Sequence, residues 1–150
     1  MIMPYSGKYR VKNKKKYNGD PSKVVYRSHW EKQVFKWCDD NKGILEWNSE
    51  EVVVPYRCKT DGKVHRYFVD LFIRTKTGIY CVEIKPKKQT VPPKKPRIKT
   101  KRYLKEVMTY VKNRSKWETA EMYCDLKGWE FQIWDEDKIK SLGIKLLCHK

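Results

Sequence analysis

Asp70, Glu83 and Lys85 are charged residues set in the middle of apolar runs. Asp70 lies in Tyr67-Phe68-Val69-Asp70-Leu71-Phe72-Ile73, and Glu83 and Lys85 lie in Ile79-Tyr80-Cys81-Val82-Glu83-Ile84-Lys85. Charge in such a setting is costly to bury unless something pairs with it. The runs are joined by Arg74-Thr75-Lys76-Thr77-Gly78, a polar turn closing on glycine, which predicts a hairpin. With Arg74 facing Ile79, counting back sets Asp70 opposite Glu83, their Cβ atoms about 5 Å apart on one face. Lys85 follows Glu83 by two positions and shares that face. Two carboxylates so close repel, and one has its pKa raised unless a cation sits between them. A hard divalent cation with oxygen ligands, Mg²⁺ foremost with Mn²⁺ as a substitute, answers that need. The competing reading is a carboxylate pair held by Lys85 and other basic groups, with no metal.

These residues need a scaffold, and a helix supplies a third carboxylate. Ser28 precedes His29-Trp30-Glu31-Lys32-Gln33-Val34-Phe35-Lys36-Trp37-Cys38, and Gly43 is a stop signal. Ser28 with Glu31 three residues later matches a capping box. At about 100° per residue, Trp30, Val34, Phe35, Trp37 and Cys38 form one apolar arc that contains Glu31. Two readings stand side by side. Glu31 caps the helix, or it points toward the metal as a ligand.

In order, helical Glu31, then Asp70, then Glu83-Ile84-Lys85 resembles the PD-(D/E)XK pattern of the restriction-endonuclease-like superfamily. That resemblance implies a mixed α/β (α+β) sheet built as helix, three antiparallel strands, helix, strand. More narrowly, Tyr26-Arg27-Ser28 with Glu31, His65-Arg66-Tyr67-Phe68 before Asp70, and Asn113 with Lys116-Trp117 resemble the head completion nucleases of T-even-like tailed bacteriophages. One departure is Val69, where the family name implies proline before the aspartate. The proline supplies no chemistry. The resemblance implies that Glu31, Asp70 and Glu83 are catalytic metal ligands. It adds the Ile84 carbonyl as a further ligand and Lys85 as the catalytic lysine. It also implies action on double-stranded DNA during head completion and head-tail joining, portal or neck proteins as partners, and a place in the host cytoplasm or the virion.

Composition agrees with a single domain. The chain has 150 residues, 39% of them hydrophobic, with six Trp and ten Tyr, enough for one core. No stretch approaches the roughly 20 apolar residues of a membrane span. The N-terminus lacks the apolar segment of a secretory signal. Cys38, Cys58, Cys81, Cys124 and Cys148 are scattered and form no C-x-x-C pair, which argues against zinc and against a disulfide framework. A reducing cytoplasm fits them.

The net charge of +17 is unevenly placed. Residues 1–16 carry Lys8, Arg10, Lys12, Lys14, Lys15 and Lys16 with no acid. Residues 84–105 carry Lys85, Lys87, Lys88, Lys94, Lys95, Arg97, Lys99, Lys101, Arg102 and Lys105, again with no acid. The rest of the chain is nearly neutral. Such clusters favour a polyanion through counterion release, and nucleic acid is the obvious one. Lys12, Lys14, Lys15, Lys16, Lys87, Lys88, Lys94, Lys95, Arg97, Lys99, Lys101 and Arg102 are therefore the expected DNA contacts. Residues 1–20 read as a basic, partly flexible arm ahead of one nuclease domain over 21–150.

Elsewhere, Ile44 to Trp47 and Val52 to Tyr56 read as short strands. Lys87 to Lys99 holds Pro92, Pro93 and Pro96 and reads as an extended loop. A helix is expected from Thr100 to Arg114, and a second, capped by Ser115, through Leu126 to Gly128. Trp129 to Trp134 has strand character, with Asp135 capping a short final helix. Tyr103 and Trp117 could stack on bases, but their helical spacing favours core packing. His65 is either a phosphate or base contact or a satisfied structural histidine. Two functions compete: a Mg²⁺-dependent DNA nuclease, and a non-catalytic DNA-binding virion protein on the same fold. A junction-resolvase or restriction-type enzyme of the superfamily is a close variant of the first.

Overall fold

The computed structural model describes residues 6–146. A short ribbon pairs β1 (Gly7–Lys8) with β2 (Val25–Tyr26) and leads into α1 (His29–Asp40). Then come β3 (Glu46–Asn48), β4 (Val53–Arg57), β5 (Val64–Phe68), β6 (Leu71–Arg74) and β7 (Ile79–Ile84). A long helix, α2 (Lys101–Lys127), crosses to β8 (Glu130–Trp134), and α3 (Glu136–Ser141) follows. The main sheet runs β3-β6-β7-β8, antiparallel except for β8, which lies parallel to β7. This is the mixed sheet that the sequence implied.

Arg74 pairs with Ile79 and Leu71 with Val82, so the turn count gave the right hairpin register. The run containing Asp70 is not continuous, however. The β3–β6 ladder ends at Asn48↔Phe72, and the β4–β5 ladder begins at Val53↔Phe68. Four residues on one side, 49–52, thus face three on the other, 69–71. Glu50 takes up the extra residue in a left-handed conformation, φ 58°. The Glu50 amide donates to the Val69 carbonyl at 3.0 Å and the Val69 amide to the Val52 carbonyl at 3.0 Å, bridging the kink. This is a bulge, a device that bends a strand and re-aims a side chain. Asp70 sits at the bend.

Alternation along the strands divides the apolar residues between two cores. Leu71, Ile73, Val82 and Ile84 pack with Trp30, Val34, Phe35 and Cys38 of α1. Phe72 and Cys81 pack with Trp117, Ala120 and Cys124 of α2, together with Tyr56 and Tyr67. The sheet is therefore covered on both faces, and Cys38, Cys58, Cys81 and Cys124 are buried free thiols. Cys148 lies outside the described residues.

Two expectations need correction. The segment read as two helices is one, because Ser115 does not cap. Its hydroxyl donates back to the Val111 carbonyl at 3.0 Å and accepts the Lys59 amide at 3.2 Å, so the helix passes through it. The helix ends as expected at Gly128, whose φ of 75° is the left-handed C-terminal conformation. The second correction concerns residues 6–20, which lie on the domain and not apart from it. Tyr9, Val11 and Tyr17 are buried in the α1-side core. Tyr9 donates its hydroxyl to Asp39 Oδ2 at 2.6 Å, and Tyr17 packs edge-on against Trp47. Residues 1–5 lie outside the described residues. Among the described residues no helix is long and apolar enough to cross a membrane.

Candidate active site

The bulge turns Asp70 back onto the neighbouring strand. Its Oδ2 accepts the Ile84 amide at 2.9 Å, and the Glu83 carboxylate lies near enough to raise its pKa. Asp70 and Glu83 are thus the contacting pair that the hairpin register requires. Lys85 joins them, its Nζ 3.7 Å from Glu83 Oε2. The Lys85 amide donates to the Trp134 carbonyl at 3.1 Å, so β8 fixes the backbone that carries the lysine.

Glu83 is 6% exposed and held from the α2 side. The Tyr67 hydroxyl donates to its Oε1 at 2.5 Å, and Trp117 Nε1 donates to the same oxygen at 3.3 Å. Burial and the neighbouring carboxylates push the Tyr67 phenol well above its ordinary pKa, so it stays a donor. Lys116, next to Trp117, lies over the Tyr67 ring, 5.6 Å from its centre. Burial pulls the Lys116 ammonium below the ordinary lysine value, and the charges of Glu83 and Asp70 oppose that shift. Tyr67, Lys116 and Trp117 stand in the motifs of the narrower resemblance, but no signal in the sequence shows that they meet the carboxylates. Tyr67 and Trp117 lie 16 and 34 positions from Glu83, and no spacing rule links them.

Glu31 is 6% exposed at the first turn of α1. Its amide donates to Ser28 Oγ at 3.3 Å, its Oε1 accepts the Arg27 amide at 3.2 Å, and the Ser28 hydroxyl lies 3.5 Å from its Oε2. The capping interaction is therefore present. Its charge also bears on Asp70: Glu31 follows burial and Glu83 among the causes that hold the Asp70 carboxyl well above its usual range. The two readings of Glu31 are compatible in one geometry.

Whether these residues suit a divalent cation can be judged from that electrostatics. Three carboxylates crowd a site where burial and like charge raise the Asp70 carboxyl well above its ordinary pKa. A cation among them would remove the repulsion. The donors are hard oxygens with no imidazole or thiol among them, which suits Mg²⁺ or Mn²⁺ over zinc. The arrangement itself is drawn in on protein donors, and among the described residues no three acidic, histidine or cysteine side chains form a ready metal cage. The donor set fits the ion in kind and in charge.

Sequence comparison places this arrangement in a family. Residues 41–136 match the family described as TnsA-like endonuclease N terminal. The chain belongs to the TnsA-like endonucleases. Their fold is restriction-endonuclease-like, as the mixed sheet and its order require. The chain is also 45% identical over 148 residues to the head completion nuclease of Enterobacteria phage T4, covering 95% of this chain and 99% of that protein. No solved structure matches it. The family match includes Asp70, Glu83, Lys85 and Lys116 and begins after Glu31. The alignment with the phage protein spans nearly the whole chain.

On this TnsA-like scaffold the expected DNA contacts separate into two kinds. Lys16 caps α1, its Nζ donating to the carbonyls of Cys38 at 2.6 Å and Asn41 at 2.8 Å. Lys87 is tied to α3, its amide donating to Glu136 Oε1 at 2.7 Å and its ammonium pairing with Asp137. Lys12 pairs with Asp40 at 3.4 Å. These three are engaged with the protein, the first two structurally. Lys14, Lys15, Lys88, Lys94, Lys95, Arg97, Lys99 and Lys101 have no ion-pair partner among the described residues. Arg102 makes only an exposed pair with Glu106 at 3.2 Å. His65 lies at the surface, its Nε2 2.8 Å from Asp61 Oδ2. Trp117 is a core residue, as read, and also a donor to Glu83.

Proposed function

We propose that this chain is a Mg²⁺-dependent deoxyribonuclease that hydrolyses phosphodiester bonds in packaged DNA during phage head completion and head-tail joining. The observation that carries the reading is half-buried Asp70 against buried Glu83, with Lys85 beside them, inside a TnsA-like endonuclease domain. A protein that only bound DNA would gain nothing from acids facing a phosphate backbone. The phage relative, named for head completion, supplies the biological setting. Portal or neck proteins are the partners that this setting implies, with the host cytoplasm as the place of assembly.

Glu31, Asp70 and Glu83, with the Ile84 carbonyl, would hold the ion. Once bound, it would lower the pKa of a coordinated water and offset charge on the phosphate. The chain's own residues do the positioning. Tyr67 and Trp117 fix one oxygen of Glu83, leaving the other beside Lys85. The Ile84 amide fixes one oxygen of Asp70. Lys85, its backbone held by β8, orients the attacking water and stabilises negative charge that develops on the phosphate.

The test is cleavage of linear, circular and branched DNA with Mg²⁺, Mn²⁺, Ca²⁺ or excess chelator. Cleavage with Mg²⁺ or Mn²⁺, with Ca²⁺ supporting binding but little turnover, is expected. Undiminished cleavage in excess chelator refutes the metal mechanism, and no cleavage of any DNA with either ion refutes the nuclease reading.

A further inference from the structure

One side of α2 carries hydrogen-bond donors from its first turn down to the carboxylates. At about 100° per residue, Arg102, Lys105, Thr109, Asn113 and Lys116 fall within roughly 80° of one another on the helix surface. They span about 21 Å of helix at 1.5 Å per residue. The first four line a groove of about 830 Å³ whose opposite wall is the loop after the catalytic strand, with Lys88, Pro92 and Lys94. Tyr110 also faces this groove, and its one acid, Glu106, is occupied by Arg102. Lys116 continues the row beyond the groove. It is half-buried, touches the ring of Tyr67, and has no ion pair among the described residues. Its charge acts on Glu83, Asp70 and Lys85. A half-buried lysine without a carboxylate partner, one hydroxyphenyl ring away from Glu83, is a site prepared for an anion that arrives with the substrate.

We propose that this face of α2 is a track for one strand of the substrate DNA, and that Lys116 grips the phosphate next to the carboxylate pair. The proposal rests on the nuclease reading and names how that site takes its strand. A basic groove with an aromatic side chain is the usual form of a single-strand path, with phosphates held by cations and a base stacked on the ring. Pro92 and Pro93 stiffen the opposite wall, so the groove is shaped before DNA enters. Arg102 is released from Glu106 at little cost, because an exposed i,i+4 pair contributes little. The two ends of the track have separate tasks: Arg102 and Lys105 hold the strand, and Lys116 acts at the reacting phosphate.

Three variants separate these tasks: Lys116→Met, Lys116→Arg, and Arg102→Ala combined with Lys105→Ala. DNA binding is read by fluorescence anisotropy in Ca²⁺ over a salt series, and cleavage by single-turnover rate in Mg²⁺ at saturating DNA. Lys116→Met should cut about 100-fold more slowly, the order seen when one charge-stabilising donor is lost, with plain DNA bound almost as before. Lys116→Arg should recover at least a tenth of the rate. The double variant should bind more weakly and flatten the plot of log affinity against log salt by about 1.4, or 0.7 for each lost contact to a single strand.

A substrate with one neutral methylphosphonate next to the cut separates contact from mere structure. It should slow the wild-type protein and add no further loss to Lys116→Met, whereas a structural role for Lys116 gives additive losses. Lys116→Met within threefold of the wild-type rate, additive losses, or an unchanged salt slope in the double variant would overturn the track. If the wild-type protein cuts no DNA with either ion, the nuclease reading fails. The salt slope of the double variant then still decides the track.

Discussion

Replacing Glu31 by glutamine sets stability and activity against each other. Glutamine keeps an oxygen to accept the Arg27 amide, now at 3.2 Å, and keeps the α1 cap with Ser28. It removes a charge that raises the Asp70 pKa, which relieves repulsion in the metal-free protein. The net stability change should therefore stay within about 1 kcal/mol, a shift of roughly 2–4 °C in Tm for a chain of this size. Glu31→Ala keeps the Ser28 cap on its backbone amide but loses the side-chain acceptor of the Arg27 amide, and should be less stable than Glu31→Gln by about 1 kcal/mol. Cleavage should behave otherwise. Both variants lack the ligand charge, and both should fall at least about 100-fold, close to 2.7 kcal/mol of transition-state stabilisation. The midpoint of the Mg²⁺ activation curve should rise as well. Thermal melts with single-turnover cleavage across a Mg²⁺ titration measure all of this. Near wild-type turnover by a well-folded Glu31→Gln protein refutes the assignment, leaves Glu31 as a cap, and reduces the site to Asp70, Glu83 and Lys85.

Further outcomes follow from the same geometry. Asp70→Ala and Lys85→Ala should each abolish cleavage while circular dichroism and DNA binding in Ca²⁺ persist; ordinary cleavage by a folded Asp70→Ala protein contradicts the site. Tyr67→Phe removes a buried hydrogen bond to a carboxylate, worth about 1.5–3 kcal/mol, and should slow cleavage by freeing Glu83. A rate equal to wild type shows that Trp117 alone suffices to hold it. Lys14→Ala with Lys15→Ala should flatten the salt dependence of duplex binding by up to about 1.8, or roughly 0.9 per phosphate contact, without changing the metal requirement. An unchanged slope removes the N-terminal segment from the DNA interface. Lys16→Met should destabilise the fold without touching the chemistry, by about 1.5–3 kcal/mol for the lost charged hydrogen bonds to the end of α1. An unaltered melt shows that water replaces the lysine there.

The hairpin carrying Asp70, Glu83 and Lys85 was legible because a short polar turn fixes its register and alternation fixes its faces. The α1 cap was legible for a similar reason, since Ser28 and Glu31 interact within one turn. Residues joined only by tertiary packing were not. Tyr67 and Trp117 meet at Glu83 because β5 and α2 cover the same face of the sheet, and nothing local announces it. Ser115 misled for the opposite reason: a good capping residue by type, it turns its hydroxyl to the preceding helical turn and to the Lys59 amide. The N-terminal segment did contain a signal. Tyr9 and Val11 alternate with Lys8, Arg10 and Lys12, the period of a strand with one buried face, and the density of positive charge obscured it. The bulge at Glu50 left no mark in the sequence, because that position carries no glycine or asparagine to suggest a left-handed conformation.

The parallel strand β8 gives the site an order of completion during synthesis. Glu31, Asp70, Glu83 and Lys85 have all left the ribosome before residue 130 is made. Until then Lys85 lacks the Trp134 carbonyl that holds its amide, and Lys87 lacks Glu136 and Asp137. A nascent chain thus carries every charged group of the site on a strand whose outer neighbour does not yet exist. The hairpin, with α1 on its far side, can form early from local contacts, while the β7–β8 pairing must wait for α2 to cross between them. If Lys85 acts as proposed, placing its final constraint so late in the chain would join the onset of cutting to the completion of folding.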